Sequence, residues 1–141
     1  MTTVVYKDGI LASDGRSTFN DSIEYENAQK IFKVKDGWIG FAGTFCHCQV
    51  LLNHLKDDGV YIRDDSDIYA IFVNHKRQVF SIEIYQNAVC YVRVSDVYAV
   101  GSGAMYALGA MSAGATAQQA IKIASKYDIG TNNRVKKVII K

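Results

Sequence analysis

Thr2 and Thr3 stand directly behind Met1. A threonine that becomes residue one brings a hydroxyl nucleophile and a free α-amine together in one residue. The amine suits the work of a general base because its ordinary pKa is about 7.7 to 8.0. This chemistry requires loss of Met1, and threonine is small enough to permit that cleavage. Two more residues can set the charge around such an amine. Asp14 lies at the end of the run that follows Asp8-Gly9, and Lys30 opens the run Lys30-Ile31-Phe32-Lys33-Val34-Lys35. Alternate residues of a strand share a face, so Lys30 falls with Phe32 and Val34, while Lys33 and Lys35 fall with Ile31. A lysine on the apolar side must be neutral or paired with a carboxylate, because an unpaired buried ammonium is strongly disfavoured. Asp14 is the obvious partner. The pattern equally accommodates a strand-end lysine whose ammonium reaches solvent. A cation close to the α-amine lowers the amine's pKa and leaves more of it as free base at neutral pH.

The elements that must position these residues are legible in outline. Asp8-Gly9 between two apolar runs predicts a tight hairpin that pairs Lys7 with Ile10, Val5 with Ala12 and Thr3 with Asp14. The polar stretch 17–29 reads as a loop or irregular edge. Residues 30–35 and 38–42 form a second hairpin turned at Asp36-Gly37. A helix begins at Thr44 or a neighbour and runs through Lys56, with Phe45, Cys48, Leu51, Leu52 and Leu55 on one face and Gly59 as its stop. Four short strands follow over 68–74, 78–85, 88–94 and 97–100. Residues 103–112 are helical, and Thr116-Ala117-Gln118-Gln119 fits a capping box that opens another helix to about Tyr127. Residues 134–141 close the chain as a strand.

With 141 residues and 49% hydrophobic content, the chain is sized for one compact domain over 1–141 with a real core. A net charge of +2 without a basic patch argues against nucleic acid. No apolar run reaches membrane-spanning length, and the polar start lacks the blocks of a signal peptide, so no membrane role is expected and the cytoplasm is the expected compartment. Three cysteines, an odd number, read as free thiols in a reducing compartment.

Six segments in order resemble the N-terminal-nucleophile hydrolases of the proteasome β-subunit and HslV type. They are Thr2-Thr3-Val4-Val5, residues 13–18 (Ser-Asp-Gly-Arg-Ser-Thr), Asn27-Ala28-Gln29-Lys30-Ile31, Gly40-Phe41-Ala42-Gly43-Thr44, Val100-Gly101-Ser102-Gly103 and residues 127–132 (Tyr-Asp-Ile-Gly-Thr-Asn). The resemblance implies a four-layer αββα sandwich, an α+β fold of two antiparallel sheets with outer helices. It implies Thr2 as nucleophile, with its own amine, helped by a water, as proton acceptor. Lys30 would set the electrostatics of that amine, and Asp14 would hold Lys30. The Gly43 amide, at a helix N-terminus, would stabilise the oxyanion. Ser102, Asp128 and Thr131 would orient the amine and water, and Ser17 and Thr18 would offer backbone hydrogen bonds to an extended peptide. Two departures are visible: the first hairpin is short, and residues 56–67 leave no room for a second long helix, so one helical layer is reduced.

Other groupings carry less. Cys46-His47-Cys48 sits on a helix, where residues one and two apart point different ways, and no second ligand pair follows at zinc spacing, so no metal is expected. Gly101-Ser102-Gly103 lacks the lysine and spacing of a phosphate loop. The reading is a threonine-type peptidase without a cofactor. It acts on peptides or unfolded proteins and is enclosed in a homo-oligomeric ring, with an ATP-dependent unfoldase as a possible partner. The ring contacts are expected on residues 45–55 and on the small side chains Ala104, Ala107, Gly109 and Ala110. A catalytically silent ring or scaffold protein and a small-molecule amidase of the same fold are the alternatives.

Overall fold

The computed structural model describes residues 2–57 and 59–141. The expected cleavage at Met1 therefore falls on a residue outside the described set. Strand β1 (Thr3–Lys7) turns at Asp8-Gly9 into β2 (Ile10–Ser13). Both turn residues have positive φ, 51° at Asp8 and 80° at Gly9, as a primed two-residue turn requires. The register is the expected one, with Val5 opposite Ala12 and Lys7 opposite Ile10, and the Asp14 amide bonds the Thr3 carbonyl at 3.2 Å.

The stretch expected to be a loop holds a small hairpin, β3 (Ser17–Phe19) and β4 (Ser22–Tyr25), turned at Asn20-Asp21. Asn20 and Asp21 both have positive φ, which their short polar side chains tolerate. All of β4 is exposed. Ser22-Ile23-Glu24-Tyr25 does alternate polar and apolar residues, but the run is four residues long and neither of its faces is buried.

β5 (Ile31–Val34) and β6 (Gly37–Gly43) form the second hairpin, but the turn lies at Lys35-Asp36, because Val34 pairs with Gly37. Gly37 belongs to β6. A Cβ there would lie 2.0 Å from the Val73 carbonyl oxygen, so this glycine serves close strand approach rather than the turn. Helix α1 (Phe45–Lys56) follows with Thr44 as its N-cap. Among the described residues of 57–67 there is no helix, as expected. β7 (Ile68–Asn74), β8 (Val79–Tyr85), β9 (Ala88–Arg93) and β10 (Tyr98–Gly101) match the four expected strands within about a residue. Helices α2 (Ala104–Ser112) and α3 (Ala117–Tyr127) precede the last strand, β11 (Lys136–Ile139). Thr116 and Gln119 form the reciprocal capping box.

The strands form one sheet in the order β10-β1-β2-β11 and another in the order β5-β6-β7-β8-β9, antiparallel throughout. Between them lies a core of Val4, Tyr6, Leu11, Ile31, Ile71 and Val73. Gly40 lets the sheets close here, since a Cβ on it would come within 2.6 Å of Val4 Cγ1. The other face of β1 and β2 packs Val5 and Ala12 against α2 and α3 through Ala107, Ala120, Ile121 and Ala124. The other face of the larger sheet packs Ile39, Phe41 and Ala70 against Cys48 and Leu51 of α1. The result is the α+β sandwich of four layers, with a single helix in one outer layer. No helix among the described residues is long and apolar enough to cross a membrane.

The alternation argument needs correcting. Phe32 and Val34 pack beneath α1 and Ile31 faces the core between the sheets, yet Lys30 lies one residue before β5 and is wholly buried. Its burial follows from its partners rather than from strand parity. The expected assembly surface changes too. Ala107 is fully buried within the protomer and Ala110 packs against the same cluster, whereas Gly109 is exposed on α2 together with Met105 and Tyr106.

Candidate active site

β1 presents Thr2 and Thr3 where β10 and β2 flank them. Thr3 pairs with Gly101, and continuing that register sets Ser102 opposite Thr2. Gly101 must be glycine: its φ is 102°, and a Cβ would stand 1.9 Å from the Thr2 carbonyl oxygen. Thr2 is 3% exposed, and Asp14 and Lys30 are both 0% exposed.

The Lys30 ammonium spends all three of its protons. It donates to Thr2 Oγ1 at 2.6 Å, to Asp14 Oδ1 at 2.7 Å and to the Arg16 carbonyl at 2.5 Å. A buried charge is tolerable under these conditions, paired and fully hydrogen-bonded. Burial lowers the Lys30 pKa from its ordinary 10.5, and the Asp14 charge opposes that fall. Asp14 is equally engaged: Oδ1 also accepts the Thr3 N–H at 3.1 Å, and Oδ2 accepts those of Arg16 and Asn132, each at 3.0 Å. These backbone donors fix the carboxylate so that it in turn fixes Lys30. A threonine oxygen that accepts from a cation is stabilised as an alkoxide, and its own proton is left to point elsewhere.

Beside this pair lies a second polar chain. Asp128 Oδ2 accepts from Ser102 Oγ at 2.6 Å and from Thr131 Oγ1 at 2.5 Å, and Thr131 Oγ1 lies 2.6 Å from Thr3 Oγ1. The three expected supporting residues are thus joined to one another, and the side chain they meet on β1 is that of Thr3. Gly103 makes room for this arrangement, since a Cβ would stand 2.1 Å from Thr3 Oγ1.

Gly43 ends β6 just before the Thr44 cap of α1. Its φ is 110°, and a Cβ would collide with the Asp67 carbonyl at 2.3 Å. Thr2, Gly43, Ser17 and Thr18 line one cleft of about 340 Å³, so the expected nucleophile, oxyanion donor and substrate wall share one space. Ser17 is buried and Thr18 half-buried.

Three contributors escaped the sequence reading. Asn132 accepts the Gly15 N–H at 2.8 Å and donates to the Glu26 carbonyl at 2.9 Å, tying the two ends of the site together. Arg16 supplies the carbonyl for Lys30, and its guanidinium pairs with Glu26 at 2.7 Å. The hydrogen bond from Arg16 holds the Glu26 carboxyl below its ordinary value. The only sequence signal for Arg16 and Asn132 was position inside the two quoted segments 13–18 and 127–132, and Glu26 stands just before the quoted segment that begins at Asn27. The Cys46-His47-Cys48 group diverges as expected of a helix. Cys48 enters the core, where burial pushes its thiol up to about 12, His47 Nδ1 accepts the Asp67 N–H at 2.7 Å, and Cys46 reaches the cleft.

No family model matches the chain. The ATP-dependent protease subunit HslV of Treponema denticola is 27% identical to it over 169 aligned positions, covering 95% of this chain and 93% of that one. The crystal structure of eukaryotic HslV from Trypanosoma brucei superposes with a TM-score of 0.71 at 20% identity, covering 97% of both chains. Thiobacillus denitrificans BPH superposes at 0.65, with 23% identity over 99% of this chain and 98% of that chain. Its complex with epoxomicin superposes at 0.66. This chain has the N-terminal-nucleophile hydrolase fold of the proteasome β-subunit and HslV type.

Proposed function

We propose that the chain is a threonine-type peptidase whose nucleophile is Thr2 once Met1 is removed. The observation that carries this reading is the Lys30 ammonium, buried and held 2.6 Å from Thr2 Oγ1 and 2.7 Å from Asp14 Oδ1. A hydroxyl in an ordinary strand has no use for a buried cation aimed at its oxygen, and burying that cation is costly. In the reaction, Thr2 Oγ1 attacks the substrate carbonyl carbon and its proton passes to the freed α-amine. The Gly43 amide receives the developing oxyanion. The tetrahedral intermediate then collapses, the α-ammonium returns the proton to the leaving amine, and an ester to Thr2 remains. Water, activated by the same amine, hydrolyses that ester and regenerates the hydroxyl.

Asp14 acts through Lys30, and Ser102, Asp128 and Thr131 steady the amine side of the site. Ser17 and Thr18 form the wall along which an extended peptide lies. The Treponema relative is named as a subunit of an ATP-dependent protease. That likeness supports a homo-oligomeric assembly that takes peptides or unfolded protein, for which an ATP-driven unfoldase is a candidate partner.

The test is hydrolysis of an extended peptide amide by protein that lacks Met1. Thr2→Ala should abolish turnover while melting at the same temperature within a few degrees, and Thr2→Ser should retain part of it. Undiminished turnover in Thr2→Ala would remove Thr2 from the mechanism.

A further inference from the structure

Among the described residues, the cleft at Thr2 carries two carboxylates, Glu24 from β4 and Asp67 from the segment before β7, and no lysine or arginine lines it. The nearby cations are already committed, Lys30 to Asp14 and Arg16 to Glu26. Among the described residues neither Glu24 nor Asp67 has a salt-bridge partner. Asp67 is nonetheless fixed in place: Oδ2 accepts the Thr44 hydroxyl at 2.8 Å, and its N–H donates to His47. Two rings line the same cleft, Phe19 and Phe45, and both are solvent-exposed, at 66% and 38%. A cleft with apolar sides and uncompensated negative charge suits a side chain that is apolar along its stem and positive at its tip.

Position relative to the reacting atoms decides which substrate residue this is. The carbonyl carbon under attack must sit at Thr2 Oγ1, with its oxygen toward Gly43. The side chain of the residue that owns that carbonyl is two bonds from the reacting carbon, and so falls in the space that Thr2 and Gly43 line. Resting on the reading of Thr2 as nucleophile, we propose that this peptidase selects a basic residue, arginine or lysine, immediately before the bond it cuts. Phe19 and Phe45 flank the stem, and Glu24 and Asp67 meet the charge.

Two measurements separate this inference from the reading beneath it. In the first, tetrapeptide aminocoumarin amides differing only in their last residue are compared. The arginine substrate should exceed the leucine one by about tenfold or more in kcat/KM, the scale of a charge-assisted contact in a partly open cleft. Glu24→Lys combined with Asp67→Asn should reverse the order, so that a glutamate substrate overtakes the arginine one. In the second, fluorescein-labelled peptide amides ending in arginine or leucine are titrated against the inert Thr2→Ala protein. The arginine peptide should bind more tightly, and raising the salt concentration should erode its advantage. Arginine-selective binding without any hydrolysis by the wild-type protein would sink the nucleophile reading and leave the cleft's charge preference standing. Equal binding of the two peptides, or a preference untouched by the charge-changing variant, would overturn the inference.

Discussion

Lys30 is the residue on which most of the site turns, and its two roles have opposite pH dependences. Burial lowers its pKa from 10.5 in the folded chain. Between that lowered value and 10.5 the unfolded chain binds more protons, so Lys30's contribution to stability rises with pH across the window and is least favourable below it. Activity should move the other way, because losing the proton removes the cation beside Thr2. The alkaline limb of kcat/KM is therefore expected below 10.5. A limb at or above that pH would contradict a buried catalytic-site lysine. Truncating the residue leaves Asp14 buried without its cation. Lys30→Met should cost about 3 kcal/mol or more in urea unfolding and at least two orders of magnitude in turnover. Adding Asp14→Asn should recover part of the stability and none of the turnover. Full additivity of the two stability losses would mean that the pair is not coupled.

At the scale of elements, the β6–α1 junction does the most for the chemistry. Gly43 holds a φ of 110° against the Asp67 carbonyl, so Gly43→Ala must shift the backbone that carries the proposed oxyanion donor. Turnover should fall about a hundredfold with KM little changed. An unaffected kcat would place the oxyanion elsewhere. A contrasting variant is Thr116→Ala, which opens the capping box of α3 far from the cleft and should cost about 1 kcal/mol, a few degrees of Tm.

The elements that were legible in the sequence are those with local causes. Asp8-Gly9 forces its turn, Thr116 and Gln119 satisfy each other, and α1 repeats its apolar residues at helical spacing. The β3–β4 hairpin was harder to read, because its strands are three and four residues long and β4 is exposed along its length, so its marks are only the Asn20-Asp21 turn and the short alternation Ser22-Ile23-Glu24-Tyr25. The Lys30–Asp14 pairing was foreseen by a face argument that the structure does not support. Lys30 precedes its strand and is drawn in by Thr2, Asp14 and the Arg16 carbonyl, contacts made across the fold. Asn132 was invisible for the same reason, since it bonds residues more than a hundred positions away.

At the scale of the whole molecule, α1 is the one helix among the described residues in the outer layer over the larger sheet. On the opposite side, Met105 is 79% exposed, and Tyr106 stacks on Tyr127 with both rings open to solvent. These residues give the proposed assembly an apolar contact that the buried Ala107 cannot provide. Light scattering at micromolar concentration should return a multiple of 15.6 kDa. Met105→Lys with Tyr106→Lys should shift the mass toward the monomer, and a monomeric wild type would contradict enclosure in a ring. The central claim concerns one bond and one hydroxyl, and intact-mass spectrometry after incubation with a β-lactone inhibitor, whose strained ring a nucleophilic hydroxyl opens to leave an ester, reads both. The account predicts a chain lacking Met1 that gains one inhibitor, with the added mass on the peptide beginning at Thr2. A chain that keeps Met1 and still hydrolyses peptides, or an adduct that maps outside that peptide, would contradict it.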